Sequence, residues 1–539
     1  MPQSESADYI IIGAGSAGCV LANRLSASPD NTVMVIEAGG RDNHPLMKMP
    51  FAFMKLQFNR SLNWNYWSEP EAGLDGRRLW LPRGKCLGGT SSINGMVYSR
   101  GHPGDYDEWA ALGATGWSWD EVLPYFKRSE RSWRGASDHH GGDGPLTVTP
   151  VDTSGPLHEA VMATARNLGH KVTDDQHGSD IGEGFAPPEV TVDRGRRAST
   201  ATQFLHPVAK RPNLSIRTGC MVTRIVVEGG RAIGVEVTKG GGTTIIRANR
   251  EVILCAGTYN SPKLLMLSGI GPADHLRALG IDVVVDLPGV GRNLQEHPLT
   301  GIGYELTEPI GFEANLRLDR LLWNVGRFFL GSGDRATQLP VTSFAFMRTR
   351  EGLARPDIKA NIYPTRLDAR VWFPGIRKGA GHAMSAFAVL LRPESRGSVR
   401  LRSRDPAAPP EIRINMYEYE RDLVSMRDAV RMMRDFFGAA PLRDLRGKEI
   451  MPGEAVQSDA EIDAFNRKSS VLAHHASSTC AMGLDHMAVV DPALRVRGVE
   501  GLRVADAAVM PRVVGGNTNA PVIMIAEKAA DLILDCAVE

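Results

Sequence analysis

Cysteine is scarce. Six occur in 539 residues, at Cys19, Cys86, Cys220, Cys255, Cys480 and Cys536, in unlike contexts and with no C-x-x-C pair. This pattern excludes a disulfide-framed secreted scaffold and fits no zinc spacing, so no metal is expected and the cysteines read as small core residues. Net charge is scarce as well: 62 Lys+Arg against 61 Asp+Glu leaves +1. Without a basic excess, neither nucleic acid nor an anionic membrane is suggested as a partner. No unbroken apolar run reaches the ~18 residues of a membrane span. Internal repeats, low-complexity linkers and a second G-x-G-x-x-G are all missing. The opening MPQSESADY is polar and a glycine-rich motif follows at once, which leaves no room for a secretory leader and makes the cytoplasm the expected compartment. What remains is an ordinary globular composition, 42% hydrophobic and 23% charged, in a chain long enough for several domains or one large layered unit.

The stretch DYIIIGAGSAGCVLANRLSASP reads as strand, tight turn and helix. Tyr9–Ile12 is an apolar run of strand length, Ser16 to Leu25 suits a helix packed on a sheet, and NTVMVIEAGG supplies a second strand ending at Glu37. Such a βαβ unit points to a parallel sheet. Its glycines fall at Gly13, Gly15 and Gly18 in the G-x-G-x-x-G spacing. Gly13 permits the tight turn, Gly15 lets a pyrophosphate approach the backbone, and Gly18 lets helix and strand pack closely. Glu37, about 20 residues beyond the last glycine, is placed to accept hydrogen bonds from ribose hydroxyls. The unit is therefore expected to bind a dinucleotide at a helix N-terminus.

Further strands of the same kind recur far along the chain, in REVILCAGTYNSPKLLMLSGIG (Arg250–Gly271) and in EGLRVADAAVMP (Glu500–Pro511). A nucleotide domain interrupted by a second domain is implied. From roughly Thr300 to Met451 the pattern changes. AFAVLLRPESRGSVRLRSRDP holds two β-patterned runs joined by a polar Pro/Gly turn, and DLVSMRDAVRMMRDFFG is an amphipathic helix ending at Gly438. An antiparallel sheet with helices is expected there. GGRAIGVEVTKGGGTTIIRANR reads as a hairpin, and the aromatics of WAALGATGWSWDEVLPYF read as core.

Several longer stretches are more specific. PRGKCLGGTSSINGMVYSRGHPGDYDEW (Pro82–Trp109) and GTYNSPKLLMLSGIG (Gly257–Gly271) resemble the two signatures of the glucose–methanol–choline (GMC) oxidoreductases. LPGVGRNLQEHP (Leu287–Pro298), RPESRGSV (Arg392–Val399) and NTNAPVIMIAEKAADLI (Asn517–Ile533) are also similar to family segments, so the resemblance runs from residue 8 to residue 533. It implies one FAD per chain on a Rossmann-like, doubly wound α/β domain, discontinuous in sequence, with an α+β substrate domain built on an antiparallel sheet. The expected divisions are residues 1–299 for the FAD domain, with short pieces of the substrate domain around 155–200, then 300–451 for the substrate domain. Residues 452–539 return to the FAD domain and carry the catalytic groups.

The resemblance places Ser16, Glu37 and Ala38 by pyrophosphate and ribose, and Val222 against adenine. Gly88, Gly89, Asn94, Gly95 and Val97 would lie along the isoalloxazine and its linker, Asp506 and Ala507 near the pyrophosphate, and Asn519 against the cofactor. Some relatives tether FAD through a histidine where this chain has Asn94, so FAD is expected to be non-covalent. In HHASSTCAMG, the family's catalytic histidine stands four residues before a threonine; counting back from Thr479 selects His475. Extended neighbours point to opposite sides, so His474 is expected to be a hydrogen-bonded structural residue facing away from the flavin. Asn517 matches the second catalytic position. The implied reaction is oxidation of an alcohol to a carbonyl, with His475 as general base and hydride passing to flavin N5. An FAD-containing hydroxynitrile lyase of the same fold is the alternative. The electron acceptor stays open between oxygen, a quinone and a redox protein.

Overall fold

A computed structural model describes residues 5–179, 182–331 and 339–534. Two seven-stranded sheets organise the chain. The first contains β1 (Ser6–Ile12), β2 (Val33–Ile36), β3 (Leu214–Arg217), β4 (Met221–Glu228), β5 (Arg231–Lys239), β6 (Gly242–Leu254) and β7 (Leu502–Val504). Strands β3, β2, β1, β6 and β7 run parallel in that spatial order. Tyr9 to Ile12 and Val33 to Ile36 are all buried. Such unbroken apolar runs are what a parallel sheet covered on both faces requires.

Strand β6 serves two sheets' worth of pairing. Its first half joins β5 antiparallel and its second half lies between β1 and β7, so the expected hairpin extends the nucleotide sheet as a flap. Helix α1 (Ser16–Leu25) has the predicted limits and packs against α2 (Asn519–Leu534). Between them Glu527, fully buried, takes two 2.8 Å bonds from Arg24 and one of 2.9 Å from Arg128. A buried carboxylate is tolerated only when paired in this way. The chain's last described helix is thus locked to its first.

The second sheet is antiparallel, in the order Arg446–Met451, Pro298–Leu306, Ala383–Leu390, Ile358–Tyr363, Ser343–Met347 and Gly184–Ala186, with Val471–Leu472 pairing at the start of Pro298–Leu306. One face buries Ala345, Ile358, Ala360 and Ile362 against the helix Glu420–Gly438, through Met426, Val430, Met433 and Phe437. Residues of the other face, among them Phe344, Phe346 and Tyr363, meet Met96, Val97 and Ala473 of the nucleotide-binding layer. The runs within AFAVLLRPESRGSVRLRSRDP are both strands, but they part company: Ser398–Arg400 leaves to pair with Glu411–Arg413. Trp109, Trp117 and Phe126 are core, as expected, and so are five of the cysteines; Cys536 lies outside the described residues.

Candidate active site

One elongated cavity runs between the two layers, and it gathers residues from nearly every motif read above. At one end, β1 stops at Ile12 and the chain turns through Gly13, whose φ of +97° and N–H bond to Ile36 O (2.8 Å) close the turn. A Cβ at Gly18 would stand 1.9 Å from Gly13 O, so only glycine lets α1 sit this close to the strand. Gly88, at φ +80°, donates its N–H to Ala14 O (2.7 Å), and a Cβ on Gly89 would lie 2.8 Å from Gly15 Cα. Gly18 and Gly88 do not line the cavity; they act by letting backbones meet behind it. Gly13, Gly15, Ser16, Glu37, Ala38, Gly89, Asn94, Gly95, Val97, Val222, Asp506, Ala507 and Asn519 all line it.

Both helices begin at this wall. Ser16 Oγ donates to Asn519 Oδ1 at 2.7 Å, tying the first residue of α1 to the first residue of α2. Two helix N-termini converging on one cavity make an anion site, suited to a pyrophosphate. The Glu37 carboxylate accepts from Ala14 N (2.9 Å) and Gly39 N (2.7 Å), and burial pushes it up to about 7 against those bonds. Asp506 spends its oxygens on Gly257 N, Ser261 Oγ and Ala508 N, at 2.6–2.8 Å, so it shapes the loop as well as lining the cavity. Asn94 Oδ1 accepts from Arg197 (2.8 Å) and from Met96 N (3.1 Å). These residues fit FAD: the cradle lacks the Cβ atoms that would fill it, and the donors and acid stand where an anionic, ribose-bearing group needs them.

At the other end His475 and Asn517 come together. Strand Val471–Leu472 pairs with Pro298–Leu299, which brings His475 beside His297 although 178 positions separate them. Their Nδ1 atoms are 2.9 Å apart. On its other side, His475 Nε2 is 2.9 Å from Asn517 Nδ2, and Asn517 Oδ1 is 2.7 Å from Lys359 Nζ. A lysine ammonium can only donate, so while Lys359 is charged the carbonyl of Asn517 faces it and the N–H₂ faces His475. His475 Nε2 is therefore an acceptor without a proton. The ring's proton sits on Nδ1 and is donated to His297, whose own proton is on Nε2. Burial, followed by the charges of His297 and Lys359, holds His475 well below the ordinary imidazole range. His297 is pushed down to about 3 by burial. Glu296 fixes this corner: Oε1 accepts from His475 N (2.5 Å) and His297 N (2.9 Å), and Oε2 faces Arg83 at 3.5 Å.

His474 departs from expectation. Its backbone is left-handed, φ +65°, rather than extended, so the alternation argument does not apply and both histidines line the cavity. Nor is its ring hydrogen-bonded at Nδ1; its carbonyl instead accepts from Arg83 at 3.1 Å. His297 and Lys359 were not singled out from sequence. The acid–histidine pair in LQEHP and a lone lysine inside the buried strand DIKANIY were the signals available.

A Rossmann-like nucleotide domain, an antiparallel second layer and a histidine–asparagine pair at the far end of the nucleotide cradle define an FAD-dependent oxidoreductase acting on CH–OH donors. The family models for GMC oxidoreductases match residues 7–299 and 393–526, and the chain belongs to that family. It is 46% identical over 535 residues to an oxygen-dependent choline dehydrogenase of Sinorhizobium fredii, covering 98% of this chain and 95% of that one. Among solved structures it is similar to pyridoxine 4-oxidase from Mesorbium loti (TM-score 0.87, 33% identity, 99% and 100% of the two chains). It is also similar to formate oxidase of Aspergillus oryzae (TM-score 0.91, 27% identity, 99% of each chain). These are a dehydrogenase and two oxidases, and they lend the lyase alternative no support. Among the described residues no helix is long and apolar enough to cross a membrane.

Proposed function

We propose that His475 is the general base that takes the hydroxyl proton of the alcohol, and that Asn517 holds the alcohol oxygen. The 2.9 Å bond between Asn517 Nδ2 and His475 Nε2 carries the reading, because it marks one point where an acceptor and a donor converge on the same small space. A hydroxyl entering there gives its proton to Nε2 and takes a hydrogen bond from the amide. Negative charge then grows on oxygen beside a donor that is itself polarised by the Lys359 ammonium. Bound FAD supplies the acceptor for the hydride that leaves the carbinol carbon. His297 takes the Nδ1 proton's hydrogen bond and keeps the ring in the tautomer that leaves Nε2 without a proton.

The remaining readings are proposals of the same kind. Glu37, Ser16 and Asn519 hold the ribose and pyrophosphate, and the segments flanking Asn94 hold the isoalloxazine. Oxygen is proposed as the acceptor, on the strength of the relatives' designation, and the cytoplasm as the compartment, which suits five buried free cysteines. The division into residues 1–299, 300–451 and 452–539 is kept as a proposal, with Gly184–Ala186 and Val471–Leu472 lending strands to the middle layer's sheet. Anaerobic mixing with a panel of alcohols, followed by air, tests the reading. The flavin should bleach with at least one alcohol and regain its colour in air; a flavin that stays oxidised with every alcohol contradicts it.

A further inference from the structure

We propose that Lys359 sets the substrate class of this site, admitting uncharged alcohols and disfavouring those that carry a quaternary ammonium, choline included. The inference rests on the alcohol-oxidation reading above and concerns the same site.

Lys359 sits in the strand Ile358–Tyr363, opposite Phe346 in the neighbouring strand, and Asn361 sits opposite Phe344. These positions share the sheet face that looks toward His475, because alternate residues of a strand share a face. The lysine is buried, 3% exposed. Its ammonium is 2.7 Å from Asn517 Oδ1, two hydrogen bonds from the base, and it stands 4.2 Å from the Phe344 ring centroid and 5.5 Å from that of Phe346.

A quaternary ammonium is recognised by aromatic faces or by a carboxylate. Here the faces of Phe344 and Phe346 already hold a cation that belongs to the protein, and the cavity-lining rings of Tyr259 and Trp64 hold Arg83 and Lys85 in the same way. No carboxylate bonds to Lys359 among the described residues. The acid nearest the base, Glu296, is spent on the N–H groups of His475 and His297 and on Arg83. Arg83 adds positive charge on the far side of the histidines, and Arg392 beside His297 is paired with Asp105 at 2.7 Å. Choline's cationic head is two carbons from its hydroxyl. With that hydroxyl on His475 and Asn517, the head is held two carbons from the contact with an amide whose carbonyl takes the Lys359 ammonium at 2.7 Å. Like charges about 6 Å apart in a partly desolvated site cost on the order of 10²-fold in kcat/KM.

The ammonium can be switched. Burial alone pushes Lys359 down to about 7, and the groups that face it, His475 and His297, are neutral there. Its charge, and with it the discrimination, should fade as pH rises through that value.

Choline and 3,3-dimethyl-1-butanol have nearly the same shape and differ by one charge. The holoenzyme is tested with both as substrates in anaerobic flavin bleaching, and as competitors of whichever panel alcohol bleaches fastest. At about pH 5, two units below the Lys359 value, wild type should prefer the neutral compound by about 10²-fold, and above pH 7 the preference should shrink to little. Lys359→Met should narrow it at least tenfold, and Lys359→Arg should preserve it. Equal use of the pair by wild type, or tighter competition by choline, overturns the proposal, as does a preference that is unchanged both by pH and in Lys359→Met. Failure of all alcohols to bleach the flavin is a different result, and it removes the alcohol-oxidation reading instead. The pH arm uses only wild type, so it decides the matter even if Lys359→Met does not fold.

Discussion

His475 Nε2 and the amide nitrogen of Asn517 lie 2.9 Å apart, with the amide turned by Lys359 so that its nitrogen faces the ring. That orientation makes the imidazole nitrogen nearest the reacting space an acceptor. Under the proposed mechanism it also separates two jobs: the ring moves a proton, and the amide, which does not titrate, stabilises oxygen. Asn517→Ala should slow flavin reduction by about 10²–10³-fold, the usual scale for losing one such donor. The pH dependence should keep its shape. A variant whose inflection vanishes would show that Asn517 does more than hold oxygen.

The pH at which activity falls is fixed by the same corner. As the proposed base His475 must be neutral, and burial with His297 and Lys359 displaces its pKa well below the ordinary imidazole range. A lowered pKa keeps the ring neutral to lower pH. Stopped-flow reduction should therefore stay level through ~6.5, the unperturbed histidine value, and decline only below it. A loss of activity on lowering the pH that already begins at or above that value would mean the ring is not enclosed as described.

At the opposite end, Glu37 should govern binding without touching chemistry. Glu37→Ala removes the acceptor proposed for the ribose and releases Ala14 N and Gly39 N. FAD affinity, measured by fluorescence titration of stripped protein, should weaken tenfold or more, while the fraction that keeps FAD is reduced by alcohol at the wild-type rate. Unaltered affinity would reassign Glu37 to the loop alone.

Gly89→Ala tests the cradle. Its φ is +51° and a Cβ would lie 2.8 Å from Gly15 Cα, so the added methyl group pushes two backbones apart where the cofactor should pass. Gly76→Ala is the control, with φ +81° and nothing within 4 Å. Purified Gly89→Ala should carry far less FAD than wild type and Gly76→Ala a normal amount. Equal occupancy in the two would contradict the close approach.

Much of this architecture was legible in the residues. The limits of α1 followed from the glycine turn before Ser16 and the small, apolar residues after it, because periodicity and turn chemistry act locally. The residues assigned to the cofactor came from long motifs, and all but Gly18 and Gly88 line the cavity. Lys359 and His297 were different. Their roles arise from pairing between distant strands, Pro298 with Leu472 and Lys359 with Phe346, which no local pattern encodes. His474 shows a second limit. Two adjacent histidines were assigned to opposite faces by strand alternation, but one left-handed residue cancels that geometry and leaves both rings on the cavity.

Both rings line the cavity, so the most direct measurement is anaerobic bleaching of the flavin by alcohol in wild type, His475→Ala and His474→Ala. Only His475 contacts Asn517 and His297, at 2.9 Å each. His475→Ala should retain FAD and slow bleaching by about 10²–10⁴-fold, the cost of losing a positioned general base. His474→Ala should stay within about tenfold of wild type, well short of that cost. If His474→Ala is the crippled protein, or if neither substitution slows bleaching, His475 is not the base and the account fails at its centre.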